Sequence, residues 1–460
     1  MFSAQSDARH RPGVTTLQPR LAPFPQALEA YRGGKLGDCV AALHGHADRN
    51  AWVLLARTQI RRGEPSPALA ALAEIDDTQL YNMHRGEVLL LNGAALVLCR
   101  RLDEARETLD LARIFVFGSG SAALEAEFYY IEAVLSTAMQ DLDEMDRAAL
   151  RALNVPVVAF DRYDYFVPSA ITCARALHMR GIVAAGREDY VSTARFLREA
   201  LAAYATSPSA DLWTEASLLM NWAFFVRDFD SPDDAEKLRE RVRSADWPAD
   251  LAQQHFEIYR ALGWSSGLRG NHIGAFRDFR RAADLAPSPA HKILASVDRA
   301  FLGRELGETH SAREELEYAA TLAARIDWNA SGEERIALVL LAQELAAFAP
   351  ERAREMLERY ARIKVKLSPL AVNNFDRRPR AHELFAEASV LRGCGANAAA
   401  VEKFAGAFSI WEALGYRWLA AKAALELASL GAGESYAAYG ARQALHCPNS
   451  WLARRVAGLT

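Results

Sequence analysis

Several side chains sit at spacings that invite chemistry. His44-Gly45-His46 lies near Cys39, but no further ligand follows at the distance a zinc site needs. The chain has no HExxH, no CxxC pair and no aspartate-rich calcium loop. Cys173 and His178 are five residues apart, which on a helix turns them to different faces. Gly118-Ser119-Gly120-Ser121 is not the GxSxG elbow of a serine hydrolase; it reads as a flexible turn with a serine N-cap. Gly33-Gly34-Lys35 lacks the leading glycine and the Lys-Ser/Thr ending of a phosphate loop. Asp76-Asp77 and Asp233-Asp234 sit beside turns, where carboxylates complement helix N-termini. No metal or cofactor is expected, and no catalytic activity.

Two stretches point to recognition instead. In the first, Phe160-Asp161-Arg162-Tyr163-Asp164-Tyr165-Phe166 has Tyr129 and Tyr130 upstream and Trp222, Phe224 and Phe225 downstream. Aromatics interspersed with charge can line a pocket for a peptide or small ligand; the plainer reading is packing within an irregular repeat. In the second, Asn373-Asn374-Phe375-Asp376-Arg377-Arg378-Pro379-Arg380 offers amides for an extended backbone and guanidinium forks for carboxylates or phosphates; the plainer reading is a solvated loop. The candidate partner-binding residues are Tyr129, Arg162, Tyr163, Tyr165, Asn373, Asn374, Arg377 and Arg378. Neither stretch has the cation density and groove-filling helix that DNA readout needs, so direct nucleic-acid binding is not expected.

The elements that must position these residues are helices. Between Tyr259 and Pro287, Tyr259, Leu262, Gly263 and Ser266 mark one amphipathic helix, and His272, Ala275, Phe279 and Ala282 mark a second. Gly270-Asn271 is the turn, and Pro287 cannot continue the helix. Gly263, Ala275 and Ala282 are small where the two rods must cross, and Phe279 fills the gap between them. This pattern resembles the tetratricopeptide (TPR) repeat, departing at Ser266 and His272, where that repeat usually carries an aromatic. The resemblance implies an all-α, TPR-like α-solenoid: a right-handed superhelix of about ten helix hairpins with a concave inner face.

The register recurs. The small residue of the second helix, or its equivalent, falls at positions 68, 105, 193, 275, 312 and 400, with gaps of 37, 88, 82, 37 and 88 residues. Those gaps are one or two units of about 37–44 residues. Asn154-Val155-Pro156 breaks the pattern, and irregular stretches are expected at about 154–168 and 367–380. The β-branched run Val155 to Ala159, interrupted by proline, is the single strand signal. Residues 1–24 hold three arginines and one acid, loosely like a transit peptide. Arg11-Pro12-Gly13 and Pro23-Phe24-Pro25 break any helix there, so the segment reads as disordered. The repeat array then covers 25–446, and 447–460 forms a short terminal helix or tail after Pro448.

Composition agrees. The chain has 460 residues, 51% hydrophobic, with a net charge of −4 that provides no global pull toward nucleic acid or an anionic membrane. No apolar run approaches the roughly 20 residues a bilayer span requires. Five well-separated cysteines, an odd number, read as buried free thiols in a reducing cytoplasm.

A second resemblance covers about the last sixty residues. Ala405-Gly406-Ala407-Phe408, then Trp411-Glu412-Ala413-Leu414-Gly415-Tyr416-Arg417-Trp418-Leu419-Ala420-Ala421, then Ala424-Leu425-Glu426-Leu427-Ala428 resemble the helical-repeat sensor region of LuxR-type (MalT-like) bacterial transcription regulators. Leu459-Thr460 resembles the opening of that family's DNA-binding domain, but neither a helix-turn-helix nor a nucleotide-binding domain is present in the sequence. The expected function is a non-enzymatic scaffold in bacterial regulation or signalling, binding a protein or peptide on its concave face. The alternative is a ligand-sensing solenoid of such a regulator, lacking its DNA-binding domain and answering to a small-molecule effector.

Overall fold

The computed structural model describes residues 24–76, 80–156, 169–207, 211–229, 232–244, 247–328, 336–366 and 378–458. Among them there are helices and turns and no strand. Of the sequence's one strand signal, Val155 and Pro156 are irregular, and 157–159 lie outside the described residues.

The helices come in successive antiparallel pairs. They are α1 (Pro25–Arg32) with α2 (Leu36–Leu43), α3 (Arg49–Arg61) with α4 (Pro65–Ala73), α5 (Asn82–Leu98) with α6 (Leu102–Phe117), and α7 (Ala122–Ala138) with α8 (Leu142–Asn154). Next are α9 (Ser169–Gly186) with α10 (Tyr190–Ala205), α11 (Leu212–Phe229) with α12 (Pro232–Ser244), and α13 (Ala252–Leu268) with α14 (His272–Leu285). Then come α15 (Pro289–Glu305) with α16 (Thr309–Arg325), α17 (Ile336–Leu345) with α18 (Pro350–Lys366), α19 (Arg378–Gly393) with α20 (Asn397–Ala413), and α21 (Arg417–Ser429) with α22 (Glu434–Ala444). A short α23 (Trp451–Ala457) follows. This is a TPR-like α-solenoid.

Local chemistry sets the boundaries. The Asp48 carboxylate accepts from the backbone N–H of Asn50 at 2.8 Å and of Ala51 at 3.2 Å, starting α3. Ser121, read as an N-cap from sequence, accepts from Leu124 N–H at 3.2 Å. Asn271 accepts from Gly274 N–H at 2.9 Å and starts α14. Each such bond satisfies a backbone donor that the first helical turn leaves open. Most of the tight turns inside the pairs use one left-handed residue. Gly270 supplies it at φ 76°, while Arg100, Gln140 and Glu188 adopt φ near 60° without the freedom of glycine.

Small residues at the crossings let the pairs nest. A Cβ built on Gly263 would come within 2.5 Å of Phe279 Cδ1, and one on Gly93 within 2.7 Å of Leu109 Cδ2. Ala275 and Ala282 are fully buried against the same crossing. The core is accordingly a string of apolar clusters between neighbouring pairs rather than one central globule.

The stack winds back on itself. Gly37 N–H donates to the Asp250 carboxylate at 3.2 Å across 213 residues of sequence, and Trp418 Nε1 donates to the Arg227 carbonyl at 2.8 Å across 191. The rings of Tyr190 and Tyr416 lie 5.8 Å apart. Successive turns of the superhelix therefore touch.

One expectation is corrected. Only Cys39 is buried; Cys99, Cys173, Cys394 and Cys447 are half-buried, because they sit at turn ends or on partly solvated helix faces. No described helix is long and apolar enough to cross a membrane.

Candidate functional site

First helices of the pairs supply nearly all the side chains of two inner clusters, and the two halves differ. In the N-terminal half, among the described residues, the wall carries a cluster of paired charges. Arg57 of α3 reaches Glu127 of α7 with two bonds, 2.7 and 3.0 Å, and Glu87 of α5 at 3.2 Å. All three side chains are buried. Beside them Arg61 donates to Asp211 at 2.6 Å, and Arg175 of α9 approaches the same carboxylate at 3.5 Å. Burial pushes the Asp211 pKa up, but the two guanidinium groups overcome this and hold it below the usual carboxylate range. The Arg61 guanidinium also stacks 3.8 Å over the Tyr31 ring and 5.1 Å from that of Trp213. The groups satisfy one another across these helices.

In the C-terminal half the wall opens into a cleft of about 480 Å³. It is lined by the first helices α11, α13, α15, α17, α19 and α21, plus Trp411 of α20. Trp264 and Trp418 stack there with ring centres 5.0 Å apart, and Phe301 lies 5.0 Å from Trp264. Arg260 and Asp298 form a two-pronged pair at 2.6 and 3.2 Å, and Trp264 Nε1 donates to the same carboxylate at 3.2 Å. At the far end the Lys422 ammonium donates to Glu344 at 3.0 Å and sits 4.1 Å over the Phe301 ring; Arg304 reaches Glu344 at 2.8 Å. Trp451 of α23 packs edge-on against Phe301 and Trp418.

The Glu344 carboxyl is buried between two cations. Burial pushes its pKa up, but Arg304 and Lys422 pull harder and hold it down to about 2. A depressed carboxylate contributes stability above its unfolded pKa and loses it as pH falls through the folded value. Acidification from about pH 4.5 toward pH 2 is therefore expected to remove up to about 3 kcal/mol through this group. Glu344→Gln should flatten that acid limb in urea titrations across this range; an unchanged limb would place the acid lability elsewhere.

The aromatic stretch read from sequence divides. Phe224 lines the cleft, and Tyr130 lies beside Arg175, its ring 5.6 Å from the guanidinium. Tyr129 lies on the outer side, edge-on to Phe117 at 5.7 Å and near Arg151 of α8. Arg162, Tyr163, Tyr165, Asn373, Asn374 and Arg377 lie outside the described residues, and Arg378 is described only as the first residue of α19. The cleft residues Arg260, Asp298, Glu344 and Lys422 escaped notice. Their signal was a charged residue on the buried face of an otherwise apolar helix. Elsewhere, His44 and His46 are exposed at the end of α2, and His178 is half-buried, its pKa pushed down by desolvation to about 4. Among the described residues no group of three or more His, Cys, Asp or Glu side chains is placed to hold a metal.

No family model matches the chain, and no curated protein matches it. Among solved structures, a Rap protein complexed with competence and sporulation factor matches at 14% identity and TM-score 0.47, covering 90% of this chain and 99% of that one. The apo form of RapI matches at 13% identity and TM-score 0.46, covering 75% of this chain and 95% of that one. The APC/C hetero-tetramer Cut9-Hcn1 matches at 12% identity and TM-score 0.28, covering 95% of each chain. The chain is a TPR-like helical-repeat protein, as its own hairpins and crossings establish.

Proposed function

We propose that this protein is a non-enzymatic TPR-like scaffold that binds a protein or peptide in the inner cleft, in bacterial cytoplasmic regulation or signalling. The carrying observation is that six consecutive first helices contribute side chains to one cavity. A partner laid along it meets several repeats, so modest contacts add into affinity. Arg377 and Arg378 directly precede the cleft residue Pro379 in the chain. On this reading they and Asn373 and Asn374 belong to the partner-binding set, as do Arg162, Tyr163 and Tyr165, with Tyr129 the member placed on the outer side.

A photo-crosslinking residue at Leu340, half-buried in the cleft, is expected to capture a partner in the native cell; the same residue at exposed Tyr318 is not. Capture should fall in the Arg377→Ala, Arg378→Ala double variant. Equal capture from both positions would refute a cleft-bound partner. The cavity volume also lies within the range of small-molecule sites, about 300–1,000 Å³, which supports the second reading of a ligand-sensing solenoid. Native mass spectrometry that finds a small molecule retained, and no crosslinked protein, would favour it.

A further inference from the structure

The charged groups of the cleft balance in number, and most are paired with one another. Arg227, Arg260 and Lys422 stand against Glu257, Asp298 and Glu344, three cations and three anions. Asp298 takes two bonds from Arg260 and one from Trp264; Glu257 lies 3.3 Å from Arg260. Glu344 takes Lys422, Arg304 and the Gln343 amide, the last at 2.6 Å. Of the three cleft indole N–H groups, Trp264 donates to Asp298 and Trp418 to the Arg227 carbonyl, while that of Trp411 is buried without a hydrogen-bond partner. Two of the cleft's phenyl rings already carry a cation: Lys422 covers Phe301, and the Arg227 guanidinium lies 5.2 Å from the Phe224 ring.

We infer that the cleft recognises an uncharged aromatic side chain of its peptide partner, held by ring stacking and apolar contact rather than by charge. This rests on the cleft-binding reading above. An anionic side chain would have to compete with Asp298 or Glu344 for their cations or draw Arg227 from the Phe224 ring, and a cationic one would meet the charge of Lys422 beside Phe301. Either would leave a desolvated charge without its partner. A neutral ring asks for nothing the paired groups have already given. It lies against the faces of Trp264 and Trp418 and the aliphatic Leu294, Val297 and Leu340, in the offset geometry that aromatic pairs favour.

The test uses the full chain and doubly capped pentapeptides, Gly-Gly-X-Gly-Gly, in which X is Phe, Leu, Lys or Glu. Surface plasmon resonance is expected to rank Phe tightest, about tenfold or more over Lys and Glu, with Leu between. Its dissociation constant should change less than about twofold between 0.05 and 0.5 M salt, because no long-range charge attraction contributes. Leu340→Gln should weaken the Phe peptide about tenfold. Hydrogen exchange on the wild type supplies a readout independent of that variant's folding: the Phe peptide should slow exchange in α13 and α15. A Lys or Glu peptide binding tightest, or a steep salt dependence, would overturn the inference and leave the peptide-binding reading standing. Phe binding with no protection of α13 and α15 would also overturn it. No binding by any of the four peptides at millimolar concentration would overturn both.

Discussion

Replacing Gly263 with leucine is expected to cost about 3 kcal/mol or more and to open the α13–α14 pair. Even a single Cβ there would stand within 2.5 Å of Phe279 Cδ1. Phe279 is buried among Trp264, Leu268 and Ala275, so its ring has no empty space to move into. The added side chain must therefore push two helices apart, and both lose contact with their neighbours. A useful contrast is Gly303→Ala in α15, where the new Cβ would lie 3.8 Å from Ala312, an ordinary contact. That change should be neutral or gain about 0.5 kcal/mol from helix propensity. Because a solenoid can unfold locally, the measurement is hydrogen exchange resolved by helix, alongside urea unfolding. Unchanged protection of α13 and α14 in the leucine variant would contradict the assigned crossing.

The same crossing explains how much was legible in the sequence. Gly263, Ala275, Phe279 and Ala282 announce their roles because a helix crossing tolerates few residue types, and the requirement returns in every repeat. Turns were legible where glycine occupies the left-handed position, as at Gly270; Arg100, Gln140 and Glu188 gave no such sign. The site was less legible for a physical reason. Its position depends on which half of the inner wall opens into a cleft, and that follows from contacts between residues far apart. Arg61 and Asp211 are separated by 150 residues, and Lys422 and Glu344 by 78. Loops rich in aromatics and arginine drew attention by composition. The charges that matter lie singly within apolar helices, such as Arg260 in α13 and Asp298 in α15, one repeat apart at 38 residues. Read as a periodic feature, those charges would have traced the inner wall. They would not have told the charge-paired half from the open one.

The N-terminal half provides the other large effect. Arg57→Met is expected to destabilise α3, α5 and α7 by about 3–5 kcal/mol, because it strips two buried carboxylates of the cation they share. Glu87 and Glu127 would remain inside the superhelix, and burial already pushes the Glu87 pKa up with Arg57 present. Without Arg57 it must rise further. A carboxylate whose folded pKa lies above its unfolded value binds a proton on folding, so its stability contribution falls as pH rises. The variant's deficit should thus be smaller at pH 5 than at pH 8, measured as the urea midpoint relative to wild type. Adding Glu87→Gln and Glu127→Gln should recover much of the loss at pH 8, since amides need no counter-charge. A deficit independent of pH would mean that the cost is lost packing of the Arg57 stem rather than stranded charge. The cleft gives a second readout. It lies in other repeats, lined by α11 and the helices after it, and α3 reaches it through the Arg61–Asp211 bond at the start of α11. If contacts between turns set the curvature of the solenoid, Arg57→Met should also speed exchange in α11. If the two halves are energetically separate, exchange there should stay at the wild-type rate while α3, α5 and α7 open.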